Sequence, residues 1–314
     1  ATVATSGTWP TGITLDPAGF HLANLLVHAV SALVVLSILR RLMGNDWGAF
    51  VGAALFAMHP VQVEPVCWVT GMKDLLAGML ALAALAQHLR GAELSAAGTG
   101  RPWRHLALAT VLFALALLAK PTVVMLPLIA WALDHLVVGR DARRAAGAVA
   151  PWLPLAVVAG VLARLHTGAE PEAAPLWARP LVAGDALAFY LSKLVWPCGL
   201  CVDYQRTPAV VLAHWWGYVT WLLPAALTVA LILGWRRRPV LAAAGITFAA
   251  ALLPVLGLVP FPDQDVSDRY LYLAMLGPAL AAGVGAARLR QRWSQGLSLA
   301  ALTALAALST LQTV

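Results

Sequence analysis

Charge is what this sequence has least of. Asp, Glu, Lys and Arg make up 11% of its 314 residues, against about 25% in an ordinary soluble domain. Hydrophobic residues reach 61% and mean hydropathy is +0.79. That balance excludes a water-soluble globular protein, and it excludes disorder, which needs few apolar residues and many charges. Cysteine is scarce as well. Cys198-Gly-Leu-Cys201 stands alone beside Cys67, so a zinc site lacks two ligands, while a disulfide stays open in an oxidising compartment. Walker A, GxGxxG, GxSxG and HExxH patterns are all missing, which leaves nucleotide-driven transport and the familiar hydrolases without support. The first 19 residues show neither the basic n-region nor the apolar h-region of a signal peptide.

What the sequence does have is long apolar runs. They lie at about 20–39, 47–59, 75–89, 105–119, 121–138, 147–165, 215–235, 239–259, 269–287 and 296–314, and each has helix-compatible length. The expectation is an all-α polytopic transmembrane bundle of about ten spans, forming a single domain over 1–314. A net charge of +7 would point to nucleic acid in a soluble protein, but in a membrane protein basic residues report orientation. Fourteen of the 21 Lys and Arg fall in clusters at one set of span ends: Arg40 and Arg41; Arg90, Arg101 and Arg104; Arg140, Arg143 and Arg144; Arg236 to Arg238; Arg288, Arg290 and Arg292. Placing these ends in the cytoplasm leaves Lys73, Lys120, Arg164, Arg179, Lys193, Arg206 and Arg269 outside, together with most of the carboxylates. The count closes only if the run at 184–197, which carries Asp185 and Lys193, is an interfacial helix that does not cross. Residue 1 then starts outside, before an inward span, so the chain is expected to be a piece of a longer protein, truncated at both ends.

Ionisable groups near the outer span ends are expensive at membrane depth and merit a functional reading. His21, Asn24, His28 and Ser31 share one helical stripe, suited to hydrogen bonds between helices or to a substrate wall. In His59-Pro-Val-Gln-Val-Glu-Pro-Val-Cys-Trp68, two prolines stop the helix and put non-helical backbone near membrane level, tolerated only inside protein or around a wet cavity. His59 and Glu64 there are candidate acid/base groups, and Lys73 with Asp74 follows. Lys73 and Asp74 also have a plainer reading, as a snorkelling lysine and a helix-start acid. Lys120-Pro121 turns tightly between two runs, and an isolated ammonium there suits a lipid phosphate or interface anchoring. Asp263, Asp265, Asp268, Arg269, Tyr270 and Tyr272 open a late span; three carboxylates fit a divalent cation only loosely.

Taken together, the phrases Gly19-Phe-His-Leu-Ala-Asn-Leu-Leu-Val-His28, His59 to Trp68 with Lys73-Asp74, Ala119-Lys120-Pro121, Leu194-Val-Trp-Pro-Cys-Gly-Leu and Ser267-Asp-Arg-Tyr-Leu-Tyr272 carry a resemblance. In their order, the chain resembles the membrane portion of the tetratricopeptide-repeat-associated GT-C glycosyltransferases. The resemblance implies a GT-C-like helical fold and transfer of a sugar, mannose by this likeness, from a polyprenyl- or dolichyl-phosphate donor to a protein hydroxyl. The active face would be periplasmic in a bacterial inner membrane, or lumenal in the endoplasmic reticulum. Such chemistry needs a base for the acceptor and cations for the leaving phosphate. Lys73, Lys120 and Arg269 are assigned to the phosphate and Glu64 and His59 to catalysis. Trp68, Asp74, Asp268, Tyr270, Tyr272, His21 and His28 are assigned to substrate and lipid walls, with no metal ligands, no certain cofactor beyond a compatible divalent cation, and no nucleic acid. The family's outer acidic pair has no match before His21 except Asp16, and its second His is Gln62 here. A transporter or flippase for a lipid-linked sugar and a non-catalytic lipid-binding scaffold remain the alternatives.

Overall fold

A computed structural model describes residues 17–166, 174–258, 266–288 and 300–307. Among them every regular element is helical. Helices α1 (Pro17–Met43) and α2 (Asp46–Met58) form a hairpin. Gly44 turns it at φ +59, and Asn45 caps α2 by accepting from the Gly48 N–H at 2.7 Å. A corner follows, made of a 3-10 turn at Pro60–Gln62, the short α3 (Val63–Cys67) and a second 3-10 turn at Val69–Gly71. The long α4 (Met72–Ala97) then runs back along α5 (Pro102–Ala119).

Lys120 is extended, as a residue before proline must be, and a 3-10 turn at Pro121–Met125 leads into α6 (Leu126–Leu136). Next come α7 (Ala142–Val149), α8 (Trp152–His166), α9 (Arg179–Val195), α10 (Pro208–Ala213), α11 (Leu222–Gly234) and α12 (Pro239–Leu252). The chain re-enters the core through a 3-10 turn at Asp268–Tyr270, α13 (Leu271–Ala274) and α14 (Leu276–Arg288).

The core lies among α1, α2, α4, α5, α6, α12 and α14, where Val35, Phe56, Leu82, Phe113, Ile129, Leu252 and Leu276 are buried. The outward faces are apolar too. Leu33, Leu118, Val157 and Leu233 are all exposed, forming far more apolar surface than a water-bound monomer leaves open. A lipid solvent accounts for it, since these helices satisfy their own backbone polar groups.

The expected ten spans reduce to fewer. Among the described residues, four helical stretches are long and apolar enough to cross a membrane: Pro17–Met43, Val69–Ala97, Pro102–Ala119 and Trp215–Gly234. Three bent pairs raise the number to seven if each is one span: Asp46–Met58 with Pro60–Cys67 at 50°, Ala142–Val149 with Trp152–Leu165 at 54°, and Asp268–Ala274 with Leu276–Arg288 at 54°. Prolines account for the bends, because Pro60, Pro151 and Pro278 lack the N–H that would continue the ladder. Pro121–Leu136 and Pro239–Val255 are apolar but short. α9, expected not to cross, is absent from these spans, and its Asp185 is buried against Arg206, whose guanidinium donates two bonds of 2.8 Å. The last expected run, 296–314, lies mostly outside the described residues, as do Asp16, Asp263 and Asp265.

Candidate functional site

Four elements meet at one end of the bundle. They are the start of α4, the end of α5, the end of α12 and the turn that opens α13. The same helices carry arginines at their opposite ends: Arg90 on α4, Arg101 and Arg104 at the start of α5, and Arg238 before α12.

Asp74 sits in the first turn of α4 and Lys120 caps α5, so a carboxylate at a helix N-terminus faces an ammonium at a helix C-terminus. The two form an ion pair, largely buried on both sides. Opposite, Glu64 of the corner receives Arg269: the guanidinium donates to Oε1 at 2.8 Å and the backbone N–H to Oε2 at 3.0 Å. Ser267 Oγ donates to the same carboxylate at 3.1 Å. Tyr270 joins the halves, its ring centroid lying 5.1 Å from Lys120 Nζ and 5.1 Å from the Arg269 guanidinium carbon. Trp68, partly exposed, lies under Arg269 at 5.3 Å. Between them is a narrow cleft of about 30 Å³ lined by Asp74, Lys120, Thr122, Arg269, Tyr270 and Tyr272.

Both cations keep donors for a ligand. An ammonium has three and Lys120 spends one on Asp74; a guanidinium has five, and the single Nη1 bond to Glu64 does not exhaust them. Burial pushes the Lys120 ammonium below the ordinary lysine range; Asp74 opposes the shift, while Arg269 and Lys73 add to it. The cleft therefore turns spare donors from two cations toward one aromatic ring, the chemistry that attracts an anion.

Of the residues expected from sequence, Lys120, Arg269, Asp74, Tyr270 and Tyr272 line this cleft. Lys73 is exposed beside it on α4. The two acid/base candidates are both engaged by protein. Glu64 accepts from Ser267 and from both backbone and side chain of Arg269. His59 was paired with it, yet its Nδ1 accepts from the Val61 N–H at 3.3 Å and its Nε2 meets the Leu194 carbonyl at 3.1 Å. It pins the corner to the end of α9.

The remaining residues stand around the cleft. Asp268 is buried outside it and accepts from the Tyr204 hydroxyl at 2.8 Å; burial and this carboxylate push the Tyr204 phenol far up, so it stays a donor. His28 Nδ1 meets the Tyr272 hydroxyl at 3.2 Å. Asn24, on the same α1 stripe, donates to the Val66 and Trp68 carbonyls at 3.1 and 2.9 Å, tying α1 to the corner. His21 stands higher on the stripe, half-buried.

Sequence reasoning missed Ser267, Tyr204 and Gly78. Ser267 adjoins the Asp268-Arg269 pair, which was the available signal. Gly78 gave none, for its role is space. A Cβ there would come within 2.6 Å of Tyr272 Cε1, and that ring is fixed by His28 and by an edge contact with Phe56 at 5.5 Å. Gly78→Ala is expected to cost about 1–3 kcal/mol through overpacking, read as a lower unfolding midpoint in detergent; an unchanged midpoint would show that the ring is free to move.

The fold and the cleft define a helical membrane protein with two cations and an aromatic ring gathered in a cleft at one end of the bundle. Comparison with known proteins adds a direction. The chain is 36% identical over 108 residues to "Protein O-mannosyl-transferase Tmtc2" of Drosophila melanogaster, covering 34% of this chain and 12% of that protein. It is 32% identical over 128 residues to Tmtc1 of the same organism, and 31% identical over 106 residues to human TMTC3. These matches span only 14% and 11% of those two relatives. No protein-family model matches the chain, and no solved structure matches it.

Proposed function

We propose that this chain is the donor-phosphate-binding part of a membrane glycosyltransferase, which moves mannose from a polyprenyl-phosphate carrier to a protein hydroxyl. The observation that supports this most is the convergence of Lys120 and Arg269 on Tyr270 in one cleft. The activity for which its relatives are named, protein O-mannosyl transfer, requires a sugar donor and a protein acceptor. In the proposed step the acceptor oxygen bonds to the anomeric carbon as the bond from that carbon to the phosphate oxygen breaks. The phosphate leaves with the electron pair, and Lys120 and Arg269 stabilise its growing charge. The acceptor proton needs a carboxylate. Among the described residues lining the cleft that is Asp74, whose Oδ2 has no hydrogen-bond partner. Arginines at the far ends of α4, α5 and α12 support, by the positive-inside rule, a cleft on the periplasmic or lumenal side.

Donor-dependent mannosyl transfer to an acceptor protein tests this. Lys120→Ala should lower it by about tenfold or more, the worth of one charge-assisted hydrogen bond; an unchanged rate would remove Lys120 from the site. A pH signature accompanies it. The ammonium form holds the phosphate, so affinity for a polyprenyl phosphate should persist below the lowered Lys120 pKa and fall as pH rises through it, before the usual lysine range of about 10.4 is reached. Lys120→Arg, which stays charged, should abolish that alkaline loss in a binding titration.

A further inference from the structure

Cys198-Gly-Leu-Cys201 takes no part in the step above, yet its loop is built against the cleft. It follows α9 directly, and both cysteines are exposed. Between them the chain bends at Gly199, whose φ of +60 is the left-handed conformation that glycine takes most readily. Both ends of the pair are held by side chains that touch each other. The Cys198 and Gly199 carbonyls accept from Lys193 Nζ at 2.6 and 3.1 Å, and the Cys201 N–H donates to the Tyr204 hydroxyl oxygen at 3.3 Å. Lys193 Nζ in turn lies 4.8 Å from the centre of the Tyr204 ring. Residues 196–207 lie outside the helices, so side chains rather than a helical ladder hold this loop. Its contacts lead inward. Tyr204 donates to Asp268 at 2.8 Å, and Asp268, 1% exposed, immediately precedes Arg269, the cation that pairs with Glu64 in the cleft. A chain of contacts thus runs from Cys201 through Tyr204 and Asp268 to Arg269.

We propose that Cys198 and Cys201 form a redox-active disulfide that locks this loop and, through Tyr204 and Asp268, fixes Arg269 at the cleft. The bond itself needs only an oxidising outer compartment; its effect on the ligand rests on the phosphate-binding reading above. It forms by exchange with a disulfide oxidant, R–S–S–R. One cysteine thiolate attacks the oxidant, whose S–S bond breaks, and one R–S leaves with the electron pair and takes up a proton. The second cysteine thiolate then displaces the other R–S from the mixed disulfide. The protein loses two electrons and two protons, and two R–SH are released. Cross-linking positions 198 and 201 removes loop conformations in which the Cys201 N–H leaves Tyr204. Reduction restores them, Tyr204 loosens from Asp268, and Arg269 loses part of its positioning.

The full chain carrying Cys67→Ser, in phosphatidylcholine nanodiscs, is equilibrated with oxidised or reduced glutathione, alkylated with N-ethylmaleimide and mapped by peptide mass. Oxidised glutathione should close both cysteines to alkylation and give a Cys198–Cys201 peptide lacking both thiol hydrogens; reduced glutathione should open both. Affinity for a polyprenyl phosphate should be about fivefold tighter in the oxidised form. Cys198→Ser with Cys201→Ser should bind as the reduced form does, whichever glutathione is present. In Tyr204→Phe the disulfide should still form while reduction no longer changes affinity, because phenylalanine has no hydroxyl to offer Asp268. Glutathione adducts on the cysteines, a bond between two chains, or thiols that stay open would overturn the disulfide. Equal affinity in the two states, or a redox effect that survives in Tyr204→Phe, would overturn the coupling. The unfolding midpoint without ligand separates the two readings. If neither state binds the phosphate while reduction still lowers the midpoint, the phosphate reading alone fails. If the phosphate binds through Lys120 and Arg269 identically in both states, the redox coupling alone fails.

Discussion

Lys120→Met combined with Arg269→Gln is expected to reduce affinity for a polyprenyl phosphate by about 100-fold or more. Each substitution removes a cation that holds phosphate oxygens through charge-assisted hydrogen bonds, worth about 1.5–3 kcal/mol apiece. Two such losses give about 3–6 kcal/mol, and 1.4 kcal/mol is a factor of ten. The singles should fall short of additivity, because both cations act on one ligand across the same Tyr270 ring. A titration in nanodiscs with lipid phosphate quenching a bound fluorophore reads all three variants. If the double variant binds as the native chain does, neither cation touches the ligand.

Glu64→Gln carries the second large effect, and it falls on stability. The carboxylate is largely buried, and so is its Arg269 partner, at 6% and 20% side-chain exposure. Breaking a buried pair by removing one charge costs about 3–5 kcal/mol, because the other charge stays behind uncompensated. The amide would also give up one of the acceptor oxygens that Ser267 and the Arg269 backbone now share. The variant should unfold at a clearly lower temperature and lose phosphate binding with it. Restoring neutrality with Glu64→Gln and Arg269→Met together should recover part of the stability but none of the binding. A Glu64→Gln protein of native stability that transfers no sugar would instead return Glu64 to the role of base.

Much of the site was legible before any coordinates. Lys120, Arg269, Asp74, Tyr270 and Tyr272 were singled out because charge and aromatic rings at the ends of apolar runs are too costly to be idle. What the sequence did not carry was pairing. Nothing in the spacing of Glu64 and Arg269 says that one receives the other, since the contact is made by bundle topology across most of the chain. The same holds for Glu64 and His59, whose residue types suggest acid/base chemistry but whose partners, Arg269 with Ser267 and Val61 with Leu194, could not be read from spacing.

The span count went wrong by another route. A hydropathy window sees composition and not direction, so it read the apolar stretches up to Met58 and on through Leu276 without the bends at Pro60 and Pro278. It also counted the short helices at Pro121–Leu136 and Pro239–Val255 as full crossings.

The most direct test of the account is discrimination between a polyprenyl phosphate and the polyprenol of equal length. The full chain in phosphatidylcholine nanodiscs should bind the phosphate about 100-fold more tightly than the alcohol, and the Lys120→Met, Arg269→Gln double variant should bind the two alike. Equal binding by the native chain, or discrimination that survives the double substitution, would contradict a phosphate site at this cleft.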